Sequence, residues 1–195
     1  MKAIKINLLV LMSLFVMTPA MAKGFIPPAE GNAVVYFTRV SNYGGAVSFE
    51  FFHDEEFIGI FKNMNYIRYE VEAGEHLFWV SSENKQFVKA TLESGKTYIV
   101  LENIKMGAWK AQAGLEPQNV TDPEQEKELQ RAIELVNSKD PVTTPQSVID
   151  KTTKKLKSRG FVENIMERYE NEWQYKDNYV KIMTANMFIP DERLK

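Results

Sequence analysis

The sequence predicts an α+β fold: an antiparallel β-sandwich of about seven to eight strands, followed by a C-terminal helical region. Three observations lead there. From Ala33 to Ala113 apolar residues alternate with period two, in runs rich in β-branched and aromatic types. Turn signals interrupt these runs about every ten residues, the spacing of antiparallel sandwiches and barrels. After Gly114 the apolar period lengthens to that of a helix, and strands followed by helices form the α+β pattern.

The first element is a leader. Lys2 and Lys5 form a basic start, Ile6–Val16 is an apolar run, and Thr18-Pro19-Ala20-Met21-Ala22 supplies the small residues of a cleavage site. The run is about half the ~20 residues a transmembrane helix needs. Residues 1–22 are therefore expected to be a signal peptide cleaved after Ala22. The product is periplasmic or secreted and has no transmembrane span.

Strands are expected at Ala33–Val40, Ala46–His53, Phe57–Lys62, Tyr66–Val71, His76–Ser82, Phe87–Leu92, Thr97–Ile104 and Ala108–Ala113. Turn residues separate them, including Asn42-Tyr43-Gly44-Gly45, Asp54-Glu55-Glu56, Ala73-Gly74-Glu75 and Ser94-Gly95-Lys96. Ile67, Tyr69 and Val71 share one strand face. The strand holding His76, Phe78 and Val80 on one face and Leu77 and Trp79 on the other is largely apolar on both, as a strand covered twice requires. Phe78 or Trp79 is thus expected to touch something beyond the sandwich core, the C-terminal segment being the natural candidate.

The helical part, 117–195, starts at Thr121-Asp122-Pro123-Glu124, a capping box with Pro in the first turn. Leu129, Ala132, Ile133 and Val136 recur at helical spacing before Asp140-Pro141. Thr144-Pro145 repeats the start signal for a helix to about Ser158, with Gly160 as its stop. Phe161, Ile165, Tyr169 and Trp173 follow at steps of four, an aromatic stripe expected to dock on the strand around Trp79. Tyr179, Ile182 and Met183 are expected to form a short helical turn. The division is thus residues 1–22, 23–116 and 117–195.

Composition narrows the function. The 173 residues after Ala22 carry 22 basic and 26 acidic side chains, a net charge of −4 with His neutral. Phosphate neutralisation needs a basic surface, so nucleic acid is not an expected partner. The chain has no Cys, which removes disulfides, thiol catalysis, cysteine-ligated metal and a lipid-bearing Cys at the cleavage site.

Within Gly31–Leu101 a strand ending in Tyr36-x-x-Arg39 precedes the glycine loop Asn42–Gly45. A hairpin through Asp54 to Ile58-Gly59 follows, then Ala73-Gly74-Glu75-His76 and Gly95-Lys96-Thr97-Tyr98. This order resembles the small β-sandwich of bacterial envelope proteins without an assigned role, many of them lipoproteins, related in style to the PEGA surface-layer domains. The resemblance covers roughly 80 residues. It implies an Ig- or PEGA-like envelope sandwich with no catalytic residues to carry over, and a structural use for the histidine after Gly74-Glu75. The chain lacks the lipidated Cys of many such proteins, and its helical tail lies outside the pattern.

Residues singled out for ligand or partner contact are Arg39, Tyr43, Tyr66 and His76. Arg39 ends an apolar strand, where it needs a carboxylate such as Glu70 or Glu50, or an anionic ligand. Tyr43 and Tyr66 are loop aromatics able to stack on a sugar or contact a protein. His76 is expected to pack at its turn. His53 with Asp54, Glu55 and Glu56 offers carboxylates and one imidazole, but on a hairpin tip expected to be solvated and short of the ligands a zinc site requires. Lys151, Lys154, Lys155, Lys157 and Arg159 cluster at a helix C-terminus, where cations complement the dipole. No nucleophile elbow, phosphate loop, His-Glu-x-x-His or dinucleotide fingerprint is present. The chain is therefore expected to be no enzyme and to use no cofactor or metal. The leading expectation is a non-catalytic exported envelope protein, acting as scaffold or interaction module. The alternatives are a glycan- or peptidoglycan-binding module and an enzyme with an unrecognised site. The partner is another envelope protein or cell-wall glycan.

Overall fold

The structure, a computed structural model, describes residues 23–41, 48–62, 64–106 and 111–195. The predicted signal peptide, Tyr43 and the predicted strand starts at 46–47 and 108–110 lie outside the described residues.

Eight strands form along the segments alternation marks: β1 (Asn32–Arg39), β2 (Phe49–His53), β3 (Glu56–Phe61), β4 (Asn65–Glu72), β5 (Gly74–Ser81), β6 (Lys85–Leu92), β7 (Thr97–Met106) and β8 (Ala111–Pro117), the last running past the expected end at Ala113. A ninth, β9 (Val180–Met183), comes from the C-terminal region, where a helical turn was expected. They make a four-stranded sheet, β4-β1-β7-β8, and a five-stranded sheet, β3-β2-β5-β6-β9. Both sheets are mixed: β1 runs parallel to β7, and β9 parallel to β6. The all-antiparallel expectation is corrected at these two pairs. Alternation reports which side of a strand is buried, not the direction of a neighbour distant in sequence.

The chain steps between the sheets, so one core forms from both. Val35 and Phe37 of β1, Phe51 of β2, Phe78 and Val80 of β5, Val88 of β6 and Val100 of β7 belong to one buried cluster. Each sheet then has a second apolar face, and helices cover both. Helix α1 (Glu126–Ser138) lays Leu129, Ala132, Ile133 and Val136 against Val34, Tyr36, Tyr66, Ile99 and Leu101 of the four-stranded sheet. Helices α2 (Gln146–Lys157) and α3 (Phe161–Asn171) and a 3-10 turn at Trp173–Tyr175 cover the five-stranded sheet. There Leu156, Ile165, Tyr169 and Trp173 meet Phe52, Leu77, Trp79 and Phe87. The result is four layers: helix, sheet, sheet, helices. This explains β1, which is buried from Ala33 to Arg39 because Ala33, Val35 and Phe37 face the other sheet and Val34 and Tyr36 face α1.

Phe78 and Trp79 divide as alternation requires. Phe78 points between the sheets, and Trp79 points outward to the aromatic stripe, stacked on Phe52 at 3.8 Å and 6°. The expected helix starts need correction. Helix α1 begins at Glu126, because Asp122 spends its side chain on the Glu124 N–H, 2.9 Å away, in a preceding turn. Thr144 does not cap α2: its hydroxyl accepts the Ile60 N–H at 3.0 Å and ties the helix entry to β3. Among the described residues no helix is long and apolar enough to cross a membrane.

Candidate functional site: two histidines at the mouth between the sheets

The chain has two histidines, and the fold brings them together. His53 ends β2, opposite Phe78 of β5 in an antiparallel register. Directly opposed residues share a face, and on β5 that face also carries His76, two positions before Phe78. Both imidazoles therefore lie on the inner side of the five-stranded sheet, where the inter-sheet core opens to solvent. The Phe78 ring floors them at centroid distances of 5.0 Å from His53 and 5.9 Å from His76. Tyr69 reaches across from β4 of the other sheet.

His53 Nε2 is 2.9 Å from His76 Nδ1 and 3.2 Å from Asp54 Oδ2, and His53 Nδ1 is 2.9 Å from the Tyr69 hydroxyl. His76 Nε2 lies 2.8 Å from the Glu72 carbonyl oxygen. A carbonyl only accepts, so His76 Nε2 carries a proton. With both rings neutral, His76 Nδ1 is then a bare lone pair. His53 must supply the proton between the rings, from Nε2 to His76 Nδ1 and the Asp54 carboxylate, while the Tyr69 hydroxyl donates to His53 Nδ1. A chain of hydrogen bonds results, Tyr69 to His53 to His76 to Glu72.

Asp54 is built into this arrangement by its backbone. It sits in the left-handed region, φ 49°, where a short polar side chain is among the few tolerated. Its N–H donates to the Leu77 carbonyl at 2.7 Å, its Oδ1 accepts the Leu77 N–H at 3.1 Å, and its carbonyl accepts the indole N–H of Trp79 at 2.8 Å. One carboxylate oxygen is thus committed to β5, and the other faces His53.

Burial pulls the His53 pKa below its ordinary value; the Asp54 carboxylate opposes that pull and the second imidazole adds to it. Burial, with the nearby Glu56 and Asp54 carboxylates, pushes the Tyr69 phenol up to about 12. Tyr69 therefore stays protonated at neutral pH.

The expected solvated hairpin tip is found at Asp54, Glu55 and Glu56, which are exposed, and is corrected at His53. The His53 side chain is only 14% exposed, whereas that of Asp54 is 57% exposed and forms the open side of the cluster. His76 does pack at its turn, as expected, but against a second imidazole. Arg39 and Tyr66, by contrast, present no surface to an external ligand, since both are 0% exposed. Tyr66 points under α1 and donates to the Lys139 carbonyl at 2.8 Å. Arg39 was expected beside Glu70 or Glu50. Glu70 instead pairs with Arg68 at 2.7 Å, and the carboxylate whose field acts on Arg39 is Glu102 of β7. Glu102 is itself buried, which pushes its carboxyl up to about 8. Lys151, Lys154, Lys155, Lys157 and Arg159 are exposed, as a solvated face requires.

Alternation places Tyr69 on a strand face with Ile67 and Val71 and gives no sign of its hydroxyl's contact with His53. Nor does it bring His53 and His76 together. The missing signal is the pairing of β2 with β5, two strands separated by β3 and β4 in the chain.

No family model and no solved structure matches this chain. The chain is similar to an uncharacterized protein of Haemophilus influenzae, 31% identical over 111 residues, or 56% of this chain. The match spans 65% of that protein's length.

Proposed function

We propose that the chain is an exported, non-catalytic protein of the bacterial cell envelope, periplasmic or secreted after cleavage at Ala22. In this reading a PEGA-like β-sandwich serves as scaffold or interaction module toward another envelope protein or cell-wall glycan. The observation that carries the non-catalytic part is the state of the imidazoles. Every ring nitrogen of His53 and His76 already has a partner: Tyr69, each other, Asp54 or the Glu72 carbonyl. A general base needs a free nitrogen within reach of a substrate proton, and in the metal-free chain each of these is engaged by another group of the chain. The two helical covers support the scaffold part, since each outer sheet face is packed against the chain itself. Glycan stacking through Tyr66 is not retained, because that ring lies under α1.

The test is fractionation of cells producing the tagged chain, with the N-terminus determined by mass spectrometry. The expected product begins at Lys23 in the periplasmic or culture fraction, and crosslinking in intact cells captures an envelope component. A chain still carrying Met1 in the cytosol overturns the proposal.

A further inference from the structure

We propose that His53 Nε2, His76 Nδ1 and Asp54 Oδ2 form a three-ligand site for a divalent first-row transition cation of the Zn2+ type, with the remaining position open to solvent. His53, Asp54 and His76 each offer one ligand atom within 4.8 Å of the others, and His53 Nε2 lies 2.9 Å from His76 Nδ1 and 3.2 Å from Asp54 Oδ2. Zinc bonds of 2.0–2.2 Å to nitrogen and oxygen place tetrahedral ligands about 3.3 Å apart. A separation of the two imidazoles by about 0.4 Å, with a rotation of the exposed Asp54 carboxylate, brings the donors onto three corners of a tetrahedron. The fourth corner lies on the Asp54 side, toward solvent, which is also the route of entry.

What distinguishes this from a chance cluster is the orientation of the donors. Each imidazole is held through the nitrogen it would not use: His76 through Nε2 on the Glu72 carbonyl, His53 through Nδ1 on the Tyr69 hydroxyl. Carbonyls and hydroxyls in that outer position are what fix ring orientation at metal–histidine sites. Asp54 is held likewise, Oδ1 on the Leu77 N–H and Oδ2 left for the cluster. The point where the three donors converge now holds one proton, that of His53 Nε2. A cation replaces that proton, which moves to His53 Nδ1, and Tyr69 changes from donor to acceptor. Two neutral imidazoles with one carboxylate select Zn2+, Ni2+ or Cu2+ over Ca2+ and Mg2+, which prefer all-oxygen shells. The inference concerns the chain's own donors and stands whether or not the protein is exported.

The decisive measurement uses the unaltered whole chain, freed of metal with a chelator and titrated with Zn2+, with Ca2+ as control. Its two histidines give two sets of imidazole nitrogen resonances in a 15N-correlated spectrum. One equivalent of Zn2+ is expected to move His53 Nε2 and His76 Nδ1 to metal-bound positions, leaving His53 Nδ1 and His76 Nε2 protonated, while Ca2+ moves neither. Calorimetry should give one site per chain. His53→Gln with His76→Gln should weaken it at least 100-fold. Asp54→Asn, which keeps the turn and the Leu77 hydrogen bond, should weaken it about tenfold or more. Tyr69→Phe, a positioning change, should cost about 10-fold and leave the nitrogen pattern of the bound state unchanged except at His53 Nδ1. Zn2+ that shifts neither imidazole, or that binds through His76 Nε2, overturns the proposal. So does affinity unaltered by Asp54→Asn.

Discussion

At the scale of single residues, two carboxylates are displaced from their ordinary pKa in opposite directions. Glu70 is held down to about 2, first by the Asn32 side-chain N–H at 2.9 Å, then by the Ala29 N–H and Arg68. Its contribution to stability is therefore complete above its ordinary 4.5 and lost as pH falls toward 2. Glu102 is pushed up to about 8 by burial, only partly relieved by Arg39, and among the described residues neither of its oxygens has a hydrogen-bond partner. The folded state keeps the Glu102 proton at pH values where the unfolded chain has released it, so stability falls as pH rises from 4.5 to about 8. Chemical denaturation across pH checks both signs. Glu70→Gln should make the chain less sensitive to acid but weaker at neutral pH, and Glu102→Gln should remove most of the decline between pH 4.5 and 8. A decline that persists in Glu102→Gln would assign it to other groups.

At the scale of elements, side chains that face the helices add two further cores to the one between the sheets. Trp79 is fully buried between Phe52 and the α3 stripe. Trp79→Ala removes that stack and the indole hydrogen bond to the Asp54 carbonyl, and should cost about 3–5 kcal/mol in urea unfolding. Because the same carbonyl belongs to the turn that aims Asp54, this substitution should also disturb the histidine cluster. Ile133→Ala, in the seam between α1 and the four-stranded sheet, should cost about 2–5 kcal/mol and leave that cluster intact. Gly59 is a different kind of position. A Cβ there, with φ 154°, would lie 2.7 Å from the Thr144 hydroxyl that bonds the Ile60 N–H. Gly59→Ala should destabilise by about 1–3 kcal/mol through this overpacking. Hydrogen exchange should show α2 opening more readily in that variant, and unchanged protection would contradict the role given to Thr144.

At the scale of the whole molecule, the C-terminal region is part of the β structure and not an appendage. It supplies β9 to the five-stranded sheet and the covers on both outer faces. A chain ended after Gln118 would expose Val34, Tyr36, Ile99 and Leu101 on one side and Phe52, Trp79 and Phe87 on the other. Two such apolar faces are far beyond what a soluble monomer presents. The shortened chain is expected to aggregate or to bind a hydrophobic dye strongly, as light scattering and fluorescence would show. A soluble, monomeric product with native strand content would rule out the four-layer account.

Alternation and turn residues were sufficient to place eight strands, and helical spacing was sufficient to place the apolar stripes on α1 and α3. Both patterns are local: they follow from which side of an element must leave water. The direction of β7 against β1, the strand at Val180–Met183 and the partner of Arg39 were not legible, because each depends on a neighbour distant in the chain. The same holds for the meeting of His53 with His76. Twenty-three positions separate them, and only the antiparallel pairing of β2 with β5 converts that separation into a hydrogen bond. Residue pattern determines what is buried; the assembly of sheets determines which buried polar groups face one another.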